Sequence, residues 1–418
     1  MALDAPLLSP QPLHLDQALN SVARRAIAAV SLAVFFFGIA LGSSGGVLAL
    51  ALQELGYAAA GIGSIGTWLA AGGLLAAIPW TLASRSASSR RLLLTTLCGY
   101  GVTIALLPLF PSYLALVAGR LIEGAWTVGV WIASETILLA RAPKRYAARL
   151  SSLYGSALAL GYVFGPSLGF SLWFFWGVKA PFLGASLFGL GAAAIIAIGL
   201  PREQNGSEED ATSSAPIPPS VPTALTALVK QLFMPELAMF ASGYLKAGLL
   251  LFLPLYLVQE RAFAMAAVPV VLTWYAAGIL VLGNAMAFCG DRFGHRRLLC
   301  LLALAGALAL AICLMARTLA AVCAGGFLLG GTAASVFPIC LAILRAETQQ
   351  VDFPRATALS NAFYAAGTLA GPPLTGWLYI HFGGSGLLGH LAGLWVIVGL
   401  SGAVWNMKAN DKPTKNNG

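Results

Sequence analysis

The sequence matches itself at a single offset of 206 residues. Gln53-Glu54 recurs as Gln259-Glu260, Thr67-Trp68 as Thr273-Trp274, Ala70-Ala71-Gly72 as Ala276-Ala277-Gly278, and Arg90-Arg91 as Arg296-Arg297. Further along, Gly119 and Gly124 map onto Gly325 and Gly330, Arg149 onto Arg355, and Gly161-x-x-x-Gly165-Pro166 onto Gly367-x-x-x-Gly371-Pro372. One offset that holds without a gap over this length means that the chain is built from two copies of one fold.

Both copies must fold in lipid. Hydrophobic residues make up 59% of the chain and charged residues 9%, and the mean hydropathy is +0.83; an average soluble domain carries about 25% charged residues. The apolar runs are about 20 residues long, enough for a helix to cross roughly 30 Å of hydrocarbon. They begin near Ile27, Gly61, Leu92, Tyr113, Leu150, Pro181, Met234, Ala266, Leu298, Leu319, Pro354 and Leu387. The expected fold is an all-α integral membrane protein with twelve transmembrane helices in two pseudo-symmetric six-helix bundles. Its expected parts are an N-terminal tail (1–24), a first bundle (25–200), a linker (201–230), a second bundle (231–406) and a C-terminal tail (407–418). The linker holds Glu203, Glu208, Glu209, Asp210 and the proline-rich stretch Pro216 to Pro222, a composition that does not order itself. Its last part, Ala224 to Gln231, reads as a short interfacial helix.

Charge sets the expected orientation, because short cytoplasmic loops collect Lys and Arg. With both termini in the cytoplasm, 19 of the 24 basic residues fall inside and only Lys179, Arg261 and Arg317 outside. The net charge of +9 is thus an orientation signal, scattered over loops rather than gathered on one face as a nucleic-acid binder requires. Location in the plasma (bacterial inner) membrane as a monomer is expected. The six cysteines lie in or beside the helices without a CxxC pair, so no disulfide, metal site or cofactor is expected. The first twenty residues, with Asp4 and Asp16 and no basic stretch, do not read as a secretory signal.

Parallel repeats of this kind are found in transporters, and short motifs make the resemblance specific. After the eighth run the chain reads Gly290-Asp291-Arg292-Phe293-Gly294-His295-Arg296-Arg297, which resembles the cytoplasmic loop motif of the major facilitator superfamily, G-x-x-x-D-R-x-G-R-R. Asp291 is expected at the start of the ninth helix, favourable to its dipole. The first copy, Ser84 to Arg91, keeps Arg90-Arg91 but carries Arg85 and Ser88 where Asp291 and Gly294 stand. Arg120-x-x-x-Gly124 is similar to the family's intramembrane arginine motif. Gly161-x-x-x-Gly165-Pro166-x-x-Gly169 is similar to its antiporter motif, with Ser152 and Phe170 in place of two further glycines. The resemblance implies a cytoplasmic gate formed by Asp291, Arg292, Arg296, Arg297, Arg90 and Arg91, helix bends at Gly165-Pro166 and Gly371-Pro372, and proton-coupled efflux by antiport.

Ionisable residues inside hydrocarbon mark pathways, since each costs several kcal/mol unless paired or hydrated. Glu123 lies about 15 Å into the fourth helix, near the midplane, and Lys246 lies about as deep in the seventh. Arg120 and Glu123, three apart on one face, either neutralise each other or handle a proton and substrate. Glu135 is expected to pair with Arg141, Arg145 or Arg149 near the gate. Lys246 has no acid within four residues and either meets an anionic solute, forms a cross-helix salt bridge or snorkels toward the interface. Trp131, Tyr154, Tyr244, Tyr275, Asn284, Asn361 and Tyr364 are candidate pocket residues, while Trp173, Trp176, Trp377 and Trp405 read as interface anchors. The expectation is a secondary active transporter of a small organic solute working by alternating access, with protons and the bilayer as its other partners. Uptake of an organic anion or siderophore-like metabolite is the alternative, and a non-transporting receptor or assembly factor is the alternative of another class. An enzyme is not expected, since HExxH, GxSxG and paired intramembrane aspartates are missing from the sequence.

Overall fold

A computed structural model describes residues 21–86, 88–140, 147–200, 225–349 and 352–410; among them every regular element is helical. The first bundle comprises α1 (Ser21–Glu54), α2 (Ala59–Ser86), α3 (Ser89–Leu106), α4 (Tyr113–Ala140), α5 (Ala147–Trp176) and α6 (Ala180–Gly199). A short helix, Leu225–Gln231, leads into the second: α7 (Phe233–Leu255), α8 (Ala267–Phe293), α9 (His295–Met315), α10 (Leu319–Glu347), α11 (353–382) and α12 (384–410). The last two are divided at Gly383, where φ is 58° and ψ is −149°. Only glycine adopts that conformation without strain, and the Glu260 carboxylate accepts a hydrogen bond from the Gly384 amide beside it at 2.6 Å. The linker through residue 224 and both tails (1–20 and 411–418) lie outside the described residues.

By length and composition ten stretches can cross a membrane, one of them Arg355–Trp405, which Gly383 divides in two; α8 adds a shorter apolar stretch, Ala267–Gly283. Twelve spans follow, each satisfying its backbone internally as hydrocarbon demands. α4 and α10 begin at the expected Tyr113 and Leu319. α1 begins six residues earlier than its apolar run, because the helix continues past the hydrocarbon through Arg24 and Arg25; Arg25 donates to the Ile198 carbonyl at 3.3 Å.

The repeated glycines make the close seams. A Cβ on Gly72 would strike the Leu121 carbonyl and one on Gly278 the Phe327 carbonyl, while Gly124 and Gly330 meet the carbonyls of Leu69 and Tyr275 in the same way. The neighbours are themselves 206 residues apart, so the repeat is a repeat of contacts: α2 on α4, and α8 on α10. Gly161 and Gly165 meet Gly38 and Gly42 of α1, and Gly367 and Gly371 meet the Phe240 and Tyr244 carbonyls of α7. Small residues at four-residue spacing let backbones approach this closely. α5 stays helical through Pro166 and α11 through Pro372.

With twelve spans, the start of α1, the end of α6 and the end of α12 lie on one face, here called the terminal face. The bundles meet toward the opposite face. Gly63 and Gly376, in the far halves of α2 and α11, face the Pro372 and Ala59 carbonyls respectively. Thr273 of α8 donates to the Val163 carbonyl of α5 at 2.9 Å and lies 3.4 Å from the Ser167 hydroxyl. Lys246, halfway along α7, nevertheless remains exposed.

Candidate functional site

At mid-depth of α4, Arg120 and Glu123 stand one turn apart and form an ion pair, Nη1 to Oε2, of 2.6 Å. They are only 6% and 2% exposed. The backbone of Glu123 is braced by Thr127, whose hydroxyl donates to its carbonyl at 2.8 Å. Arg120 Nε has no hydrogen-bond partner among the described residues. Two phenols from neighbouring helices, Tyr100 of α3 and Tyr162 of α5, lie within electrostatic reach of the Glu123 carboxylate; the Tyr100 hydroxyl has no hydrogen-bond partner among the described residues.

Lys246 supplies the second charge, from the other bundle. Tyr364 of α11, Tyr162 of α5 and Tyr275 of α8 lie within its electrostatic reach. Tyr162 is therefore shared, since it interacts with both Lys246 and Glu123. It sits inside the Gly161-x-x-x-Gly165 motif, whose pattern is carried by the glycines. Its signal was that of any intramembrane tyrosine one residue from a close-packing glycine. Tyr100 and Glu236 belong to no sequence motif. Glu236 is fully buried in the first turn of α7, where Ser360 of α11 donates to its Oε1 at 2.7 Å.

Several expected pocket residues lie elsewhere. Tyr244 is two residues from Lys246, which at about 100° per residue puts it on the opposite side of α7. There it is buried, packed edge-on against His390 of α12 at 5.7 Å, and does not join the cluster. Asn361 is exposed, whereas Tyr364, three residues on, turns toward Lys246. Tyr154 is buried with its hydroxyl 3.0 Å from that of Ser134, in the α4–α5 contact. Trp131 is half-buried two turns beyond Glu123, its indole nitrogen without a partner among the described residues. The Asn284 side chain lies outside the described residues.

The expected gate is also redistributed. Asp291 belongs to the last turn of α8 and not to the start of α9, because the break between them is Gly294, with φ 87°. The side chains of Asp291, Arg149, Arg141 and Arg145 lie outside the described residues, so the expected partners of exposed Glu135 do as well. Arg90 donates to the Leu200 and Ala197 carbonyls, each at 2.8 Å, and so caps α6 in its own bundle. Arg296 pairs with Glu347 of α10 at 2.7 Å and stacks over Trp405 of α12 at 4.0 Å. It braces the second bundle, with Trp405 as its platform. Arg91, Arg292 and Arg297 are exposed.

The sequence model of the Major Facilitator Superfamily matches residues 30–269 and 235–418. The chain belongs to this superfamily. Among curated proteins no sequence matches. Solved structures of the family superpose closely. A variant of the nucleoside transporter NupG gives a TM-score of 0.76 at 12% identity, covering 91% of this chain and 99% of that one. A bacterial homolog of the human lysosomal transporter Spinster, inward-facing and occupied, gives 0.72 at 12% identity over 94% and 97%. The human organic anion transporter MFSD10 gives 0.65 at 19% identity over 91% and 99%. At these identities the likeness establishes the fold alone, the multi-helical membrane architecture of the superfamily.

Proposed function

We propose that the protein is a proton-coupled secondary transporter of a small organic solute, working by alternating access, with Glu123 as its proton site and the Lys246 cluster as its solute site. The carrying observation is the mid-depth pairing of a buried ion pair in one bundle with an exposed lysine in the other, with Tyr162 interacting with both charges. Charges at this depth are retained at a cost of several kcal/mol, and groups contributed by both bundles feel any rocking of one against the other. The basic bias of the loops supports a cytoplasmic terminal face and cytoplasmic termini, and the Gly290 to Arg297 turn is the candidate gate there. The protein acts as a monomer in this reading. Export against proton entry has the α5 motif in its favour by resemblance. However, Gly161 and Gly165 are fully engaged in the α1–α5 seam, a packing duty independent of transport direction.

The test is reconstitution into proteoliposomes containing a pH-sensitive dye, with a panel of small organic acids, bases and neutral metabolites supplied outside. A transported solute should move protons in the wild type. Glu123→Gln should still exchange solute but move no protons, because a neutral amide mimics the protonated acid and cannot release its proton. Full proton-linked transport in Glu123→Gln refutes the proton site, and no flux of any solute favours the receptor class.

A further inference from the structure

The central cluster carries an unbalanced charge. Arg120 and Glu123 cancel in their ion pair, whereas Lys246 has no carboxylate within ion-pair distance among the described residues. Its neighbours are phenols, Tyr364, Tyr162 and Tyr275, one from each of three helices. Phenols donate hydrogen bonds and present apolar ring faces. One cation among three of them suits an anion on a flat apolar body: carboxylate oxygens take the ammonium and hydroxyl protons while the ring lies along the aromatic walls. An organic cation would be repelled by Lys246.

Resting on the proton-coupled reading above, we infer that this site takes a small aromatic monocarboxylate and binds it cooperatively with a proton on Glu123, so that solute and proton cross together. The groups around Glu123 set the sign. Its own helix supplies Arg120, α3 supplies Tyr100 and α5 supplies Tyr162. α1 supplies Ser44 behind Tyr100, and the one charged residue of α2 is Arg85, whose side chain lies outside the described residues. Around Lys246 stand the three phenols; His390 of α12 lies against Tyr244 on the other side of α7, and the charged residues of α10, Arg345 and Glu347, sit in its last turn. A proton on Glu123 removes the only negative charge of the cluster, frees Arg120 from its partner and raises the net charge by one. An anion beside Lys246 is then held more tightly, and by reciprocity the bound anion favours the proton. A coupling on the order of tenfold is expected, toward the low end of coupling between sites. Antiport, the form implied by family resemblance, requires the opposite sign: the solute must bind more weakly when Glu123 is protonated.

The experiment is equilibrium binding to the purified full chain in detergent, using benzoate and its neutral isostere benzamide between about pH 5.5 and 8.5. Over that range benzoate and Lys246 keep their ordinary charge states. Benzoate is expected to bind about tenfold more tightly than benzamide at low pH and to weaken about tenfold toward high pH. Lys246→Gln should erase the preference for benzoate. Glu123→Gln should hold the low-pH affinity at every pH, and the double variant Arg120→Gln with Glu123→Gln should remove the pH dependence even if the single variant folds poorly. Equal binding of the two ligands, or none, overturns the substrate class. Benzoate binding that tightens toward high pH overturns the cooperativity, as does a pH dependence that survives in both Glu123 variants, which would assign it to His390. Either result can stand beside proton-linked flux in proteoliposomes. Loss of that flux with cooperative binding intact would remove the transport reading alone.

Discussion

The Arg120–Glu123 pair makes a quantitative demand on stability. Both side chains are almost completely buried and their charged atoms are 2.6 Å apart, so solvent screening is weak. Taking charge centres about 4 Å apart and an effective dielectric constant of about 20, their attraction is about 4 kcal/mol. This agrees with the roughly 3–5 kcal/mol lost when one member of a buried pair is removed. Arg120→Ala and Glu123→Ala should each lower the melting temperature in detergent by about 4–8 °C, taking about 1–2 °C per kcal/mol for a chain of this length. Their effects should differ in kind. Glu123→Ala strands a guanidinium that cannot shed its charge, whereas Arg120→Ala strands a carboxylate that can bind a proton. The deficit of Arg120→Ala should therefore shrink between about pH 8 and pH 5.5, because protonating the stranded acid costs less as pH falls, while that of Glu123→Ala stays constant. The double change should recover more than half of either loss, the remainder being the cavity left by two truncated side chains. The assay is thermal unfolding followed by intrinsic fluorescence at fixed detergent and protein concentration. A double variant as damaged as the two singles added together would refute the reasoning, and so would a Glu123→Ala deficit that shrinks with pH as Arg120→Ala does.

Two other predictions follow from the packing and the loops. Gly124→Val and Gly330→Val, which drive side chains into the Leu69 and Tyr275 carbonyls, should cost about the same, at least the roughly 1–3 kcal/mol of an overpacked core; a loss confined to one bundle in matched melting curves would break the structural equivalence of the copies. Cysteines introduced at Ser86 and Ala142 should react with an impermeant maleimide only from the cytoplasmic side and one at Ala180 only from outside, and the reverse pattern would invert the orientation assigned to the terminal face.

Much of the architecture was legible in the chain because hydrocarbon leaves a backbone few choices. A 20-residue apolar run must close its own hydrogen bonds, so α4 and α10 could be started at Tyr113 and Leu319 from hydropathy alone. A glycine repeated at one offset implied a repeated close contact, which Gly72 and Gly278 make. The depths of Glu123 and Lys246 followed from 1.5 Å per residue. Partnership is a different matter. Helical periodicity separates Tyr244 from Lys246 by face, but which face meets the cavity depends on α11 packing its glycines against the Tyr244 carbonyl. The sequence places Arg296 in the candidate gate turn, but not over Trp405, more than a hundred residues away, which lies beneath it in the fold. Tyr162 became a shared neighbour of Glu123 and Lys246 only when α4, α5 and α7 converged. Thus the sequence by itself determined the spans, their symmetry and the depth of each charge, because these follow from local geometry and the solvent. The tertiary structure alone decided which charges meet and which face is closed, because those depend on helix rotation and on contacts between distant segments.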